Sequence, residues 1–204
     1  KPDFNPNTLS ADWEYLVSDS SNSSLLNRAT QGAYPPGSVF KVVDALAYLR
    51  QNGTIDNFSY NCSGSITVDG HTIPCFGGEV HGTEDFTTAF AESCNTAFTQ
   101  MGLDLGGSNL QKTAEDLLFN KKLPIPIEYA KSKFELGSTP GNPLLMQTSI
   151  GQGNTLVSPM HMALITSAIA NNGKLMQPYY IERVETVNGT TVKSTKPSVY
   201  KIGR

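Results

Sequence analysis

The chain has 204 residues, 16% of them charged and a net charge of −3, which is the size and composition of one globular domain able to bury a core. This weak acidic balance, with no basic run, excludes the electrostatic footprint of a nucleic-acid or membrane-surface binder. There is neither a run of about 18 apolar residues nor a signal peptide, and the chain opens Lys1-Pro2-Asp3 rather than with methionine. The expectation is a piece of a longer protein, with any membrane anchor outside it.

In chain order, residues 1–30 read as irregular. Asn5-Pro6-Asn7 is a turn, Ser18 to Ser24 is a serine-rich loop, and Trp13 and Tyr15 are expected to pin the segment to the body. Next comes Tyr34-Pro35-Pro36-Gly37-Ser38-Val39-Phe40-Lys41. Here a rigid turn feeds a helix with Ser38 as its N-cap and apolar residues at Val39, Val42, Val43, Leu46 and Leu49, closed by Gln51-Asn52-Gly53. Residues three apart share a helical face, so the Lys41 amine comes within reach of the Ser38 hydroxyl. The helix N-terminus offers backbone donors to a developing oxyanion, and the set has the form of an activated nucleophile. Simple capping by Ser38 is the alternative. A second Ser-x-x-Lys, Ser198 to Lys201, lies among strand formers, where alternation puts serine and lysine on opposite faces, so it reads as a chance match.

Ser65 to Ile73 reads as a hairpin about Asp69-Gly70, with Cys62 and Cys75 at its two ends. A disulfide between those cysteines is geometrically easy. A metal site from Cys62, His71, Cys75 and His81 competes with it but lacks the usual ligand spacing, and plain thiols are the third reading. No metal and no cofactor are assigned.

Phe86 to Ala91 forms an apolar helical turn that delivers Ser93-Cys94-Asn95 between two apolar segments, where a hydroxyl and an amide must be used or satisfied internally. The same Ser-x-Asn string at Ser20 and Ser59 lacks that setting. Ala97, Phe98, Met101 and Leu105 continue as a helix up to Gly106-Gly107, and Ser108 caps another that carries Leu110, Ala114, Leu117 and Leu118. Leu123 to Pro143 is loop. Helices follow at Leu144 to Ile150 and at Pro159 to Ala170; the second is capped by Ser158, stopped by Asn171-Asn172-Gly173, and apolar nearly all round, hence expected to be buried. Tyr179 to Val187 and Thr190 to Val192 form a hairpin about Asn188-Gly189.

The ordered set Asn27-Arg28-Ala29, Tyr34 to Lys41, His81-Gly82, Ser93-Cys94-Asn95 and Gly151-Gln152-Gly153 before Ser158-Pro159 resembles the transpeptidase domain of penicillin-binding proteins, most closely the monofunctional class B type. It runs from about Pro2 to Ile181. The resemblance implies the helical part of the serine beta-lactamase/transpeptidase fold: mixed α/β, helices on an antiparallel sheet that is incomplete here. Residues 1–204 are then a partial domain, with a hairpin insertion at 60–76 and a C-terminal strand hairpin at 174–204.

It further implies peptidoglycan D,D-transpeptidation through a serine acyl-enzyme. Ser38 is implied as the nucleophile, Lys41 as its base, Ser93 as the proton carrier to the leaving amine, and Asn95 as the group holding Lys41 and the substrate amide. Gly151, Gln152 and Gly153 support the site. The implied partners are stem peptides ending in D-alanyl-D-alanine, beta-lactam antibiotics and other cell-wall synthesis proteins. The implied place is the outer face of the bacterial cell membrane. Penicillin sensors, beta-lactamases and carboxypeptidases share the fold, and an inactive fragment is the remaining alternative. The family's Lys-Thr/Ser-Gly strand motif is missing; Lys112-Thr113-Ala114 falls in a helix. Weak acylation of the chain alone, or none, is therefore expected.

Overall fold

The computed structural model describes residues 4–137 and 139–203. Start residues Lys1 to Asp3, where the resemblance begins, lie outside them, as do Ser138 and Arg204. A single 3₁₀ turn over Pro6–Thr8 leads into α1 (Leu9–Ser18), so the N-terminal segment is helical where the sequence reads as irregular. Leu16 is its one buried residue, whereas Trp13 and Tyr15 are 52% and 66% exposed and do not pin it. With polar residues scattered round this helix, its apolar side chains do not mark a face, which is why periodicity misses it.

The core is built on α2 (Lys41–Asn52) and α4 (Asn95–Asp116), with α5 (Asn142–Ser149) against α4. Gly53, left-handed at φ 73°, closes α2 by donating to the Leu49 carbonyl. Helix α4 breaks at Gly106 (φ 74°, ψ 162°), at the pair where the sequence places a stop. Phe40, Val43, Phe98, Met101, Leu110, Phe119, Phe134 and Met146 are each at most 1% exposed. Phe40 stacks on Phe134 at 5.5 Å and meets Phe119 edge-on at 5.9 Å. An aromatic two residues after Ser38 is thereby clamped, and the turn that carries the serine is fixed to the core. Gly102 allows the close approach of α4 and α5: a Cβ there would lie 1.7 Å from Ser149 Oγ.

All strands pair antiparallel, in two-stranded units. β1 (Ser59–Cys62) pairs with β4 (Gly82–Asp85) and encloses the hairpin β2 (Ser65–Val68) and β3 (His71–Pro74). Its turn residues Asp69 and Gly70 are both left-handed, as a two-residue hairpin turn demands. Asp85 caps α3 (Phe86–Ala91) by accepting from Thr88 N, and α6 (Pro159–Ala170) starts on Ser158, which accepts from His161 N. β5 (Lys174–Met176) pairs with β8 (Val199–Ile202), and β6 (Arg183–Glu185) with β7 (Thr191–Ser194) about Gly189.

Helix α6 is not buried all round as its composition suggests. Only His161 and Ile165 are buried, and Ile169 is 44% exposed. Its open side borders a groove of about 580 Å³, lined by Leu46, Leu49, Ile165, Ile169, Leu175 and Ile202. No element among the described residues covers this groove, so the apolar composition of α6 outruns the burial available to it.

Candidate active site

Ser38 lies inside a 3₁₀ turn, Gly37–Phe40, not at its cap. The N-cap position belongs to Pro36, and no side chain caps the turn. The tight turn arises because Pro35 and Pro36 cannot donate and Gly37 adopts φ +58°, so the serine is presented, exposed, on the first turn ahead of α2. Capping is thus not what the Ser38 hydroxyl does.

Lys41 begins α2 and is 2% exposed. Its Nζ donates to the Ser93 carbonyl, to Ser93 Oγ at 3.0 Å and to Asn95 Oδ1 at 2.8 Å, and it lies 5.4 Å from the centre of the Phe98 ring. An ammonium has three hydrogens, so these acceptors use all of them. With these bonds made Lys41 faces the Ser93–Asn95 loop, and loss of a proton is what frees a lone pair for the Ser38 hydroxyl. Burial pushes the Lys41 amine down to about 8, against the pull of nearby anionic groups.

The loop itself is strained into place. Ser93 is left-handed at φ +54°, a conformation costing an L-residue about 1–2 kcal/mol. Cys94 follows as the N-cap of α4, with its sulfur accepting from Ala97 N. Asn95 Nδ2 donates to the Pro74 carbonyl at 3.0 Å, so the amide expected to hold Lys41 and substrate joins Lys41 to the β2–β3 hairpin.

Gly151-Gln152-Gly153 is packed on the nucleophile turn. Gly37 N donates to the Gly151 carbonyl at 2.8 Å, and a Cβ on Gly151 (φ +72°) would lie 1.9 Å from the Gly37 carbonyl oxygen. Just beyond, Val157 and Tyr34 exchange two backbone hydrogen bonds of 2.9 and 3.0 Å. Asn27, of the first motif, accepts from Ala29 N, and the Ala29 carbonyl takes Met160 N at the start of α6. The second Ser-x-x-Lys lies away from all of this, on β8, with Lys201 donating to the Asp116 carbonyl.

Residues 1–202 match the family model described as the penicillin binding protein transpeptidase domain. The chain belongs to that family. Among its relatives, a peptidoglycan D,D-transpeptidase PbpA of Mycolicibacterium smegmatis is 34% identical over 96% of this chain and 42% of its own length. A penicillin-binding protein A from M. tuberculosis, solved as a ceftriaxone acyl-enzyme complex, superposes with a TM-score of 0.85 at 30% identity over 97% of this chain and 45% of that one. A penicillin-binding protein PBP2 from Helicobacter pylori in complex with MreC superposes at 0.74 with 26% identity, over 84% and 35%. The chain therefore spans less than half the length of these relatives, and within that span it has their fold.

In this penicillin-binding domain the cysteines are unbonded to one another; Cys62 and Cys75 bring their sulfurs to 3.6 Å. His81 joins them, and so does Cys94, whereas His71 does not: its ring faces Gln147 Nε2 at 3.4 Å. Sequence reasoning missed three further residues of the site. Pro74 acts only through a backbone carbonyl, which no side-chain pattern marks. Phe98 reads simply as core. Asp44, fully buried with both oxygens unpartnered, stands three residues after Lys41, a spacing that was there to be read.

Proposed function

We propose that this chain is the nucleophile-bearing part of a peptidoglycan D,D-transpeptidase that works through an acyl-enzyme on Ser38. The observation that carries the reading is the triple anchoring of Lys41 on Ser93 and Asn95, one helical turn from an exposed Ser38. In this reading Lys41, once neutral, takes the Ser38 proton as Oγ attacks the carbonyl of the penultimate D-alanine. Developing negative charge meets the backbone N–H of Ser38 in the first turn. The proton passes through Ser93 to the leaving D-alanine amine, and the ester is then attacked by an amine of a neighbouring stem peptide. A beta-lactam acylates the same oxygen. Gly151 to Gly153 hold the turn at the right height through the Gly37 contact.

The substrate is accordingly the D-alanyl-D-alanine end of a stem peptide, and the place of action is the cell wall, outside the membrane. No helix among the described residues is long and apolar enough to cross a membrane. The relatives' names support the activity, and the Helicobacter relative, solved in complex with MreC, supports a protein partner of that kind.

The test is intact mass after incubation with a penicillin, beside a Ser38→Ala version, both as this chain and extended to the length of its relatives. A Ser38-dependent adduct is expected, weak in the short form and complete in the long one. Absence of an adduct from the long native form refutes the reading.

A further inference from the structure

We propose that Cys62, Cys75, His81 and Cys94 form a closed tetrahedral site for a thiophilic divalent cation of the zinc class, which fastens the Ser93–Asn95 loop to the neighbouring strands. The four come from separate places: the end of β1, the residue after β3, the residue before β4 and the cap of α4. Their ligand atoms all lie within 4.8 Å of one another.

Four of the six ligand-to-ligand distances match the edges of a coordination tetrahedron, and the remaining ones reach at most 4.8 Å. With Zn–S near 2.3 Å and Zn–N near 2.0–2.1 Å, the edges of such a tetrahedron are about 3.8 Å for S···S and about 3.6 Å for S···N. The structure has Cys62–Cys75 at 3.6 Å, Cys75–Cys94 at 3.8 Å, Cys62–His81 Nδ1 at 3.4 Å and Cys75–His81 Nδ1 at 3.9 Å.

A further observation points to a cation. Donors are aimed at the sulfurs: Thr96 Oγ1 at Cys62 (3.2 Å) and Ala97 N at Cys94 (3.4 Å), the outer contacts that thiolate ligands take. All three cysteines are at most 2% exposed, so the cage has no open position for substrate, which marks a structural rather than a catalytic site.

The placement defines its use. Cys94 stands between Ser93 and Asn95, and Cys75 follows Pro74, whose carbonyl accepts from Asn95 Nδ2. One ion thereby fixes both ends of the hydrogen-bonded path that sets Asn95 against Lys41. A Cys62–Cys75 disulfide would consume two of the four donors, so that bond and the metal exclude each other. Metal binding does not depend on Ser38 being a nucleophile and is tested apart from it.

The experiment is titration of the reduced, chelator-stripped chain with Co²⁺ under anaerobic conditions, followed by Zn²⁺. One Co²⁺ per chain is expected, with tetrahedral d–d bands and thiolate-to-metal charge transfer that Zn²⁺ erases; Zn²⁺ also raises the melting midpoint. Cys94→Ser and His81→Ala should each weaken binding by at least about tenfold, and His71→Ala should leave it unchanged. The proposal is overturned by a native chain that shows no thiolate charge transfer, by variants that bind as tightly as the native chain, or by a Cys62–Cys75 bond that persists under reductant. The native titration decides the matter even if a variant fails to fold.

Discussion

Replacing Gly151 by alanine separates two costs that meet at the nucleophile turn. Gly151 is left-handed at φ +72°, which costs an alanine about 1–2 kcal/mol. Its new Cβ would lie 1.9 Å from the Gly37 carbonyl oxygen, so the two strands of chain must part. Parting them breaks the 2.8 Å bond from Gly37 N to the Gly151 carbonyl, a further loss of about 0.5–1.5 kcal/mol. The total is about 1.5–3.5 kcal/mol, which for a domain of this size lowers the melting midpoint by about 7.5 °C at the middle of the ranges. Gly70→Ala is the reference, with φ +75° and nothing within 4 Å of the added methyl; it bears the dihedral cost alone. Gly153→Ala is intermediate, its methyl meeting Leu144 Cδ1 at 3.3 Å. The entropy that any Gly→Ala change removes from the unfolded chain is common to all three and cancels in the differences. Thermal unfolding followed by circular dichroism measures the series. Equal losses at positions 70 and 151 would refute the claim that Gly151 supports the turn by contact.

Other outcomes follow from the same contacts. With the Lys41 amine at about 8, roughly one molecule in eleven carries it neutral at pH 7, against about one in three thousand for an unshifted lysine. The rate of penicillin acylation should therefore climb with pH, reach half its plateau near 8 and level off about one pH unit higher; a flat profile, or an inflection above 10, contradicts Lys41 as base. Asp44 is held well above the usual carboxylate range by burial, so its contribution is full below about 3.8 and is lost as pH rises toward the folded value. Asp44→Asn should then raise the melting point at pH 7 relative to the native chain, with the gain shrinking toward pH 4; no pH dependence in the difference argues against a buried, protonated carboxyl. Gly102→Ala forces a methyl onto Ser149 Oγ and should cost about 1–3 kcal/mol in urea unfolding, partly recovered when Ser149 is also made glycine. An unchanged urea midpoint would show that α4 and α5 do not pack through this glycine.

Local chemistry was legible where residues act through their own conformational limits. Asp69-Gly70, Gly106 and Ser158-Pro159 mark turn, break and cap because few residues tolerate those geometries, and Ser93 to Asn95 is flagged by polar groups between apolar helices. What depended on distant partners was not legible. Which acceptors Lys41 takes is decided by residues 52 and 54 positions later. Helix α6 reads as buried because composition reports what could be covered, not what covers it. Three of the four cluster residues were in view, and Cys94 escaped for the same reason: it belongs by sequence to one motif and by space to another, and no local spacing ties it to Cys62.

The tripod under Lys41 gives one proton two effects. When the amine is charged, all three of its hydrogens bolt α2 to the start of α4; when it is neutral, one acceptor on Ser93 or Asn95 goes unserved. Readiness to react and looseness of this joint then rise together with pH. Amide exchange at the α4 N-terminus should report that slackening even where no substrate is present, and a domain kept at low pH is held in its stiffest and least reactive form.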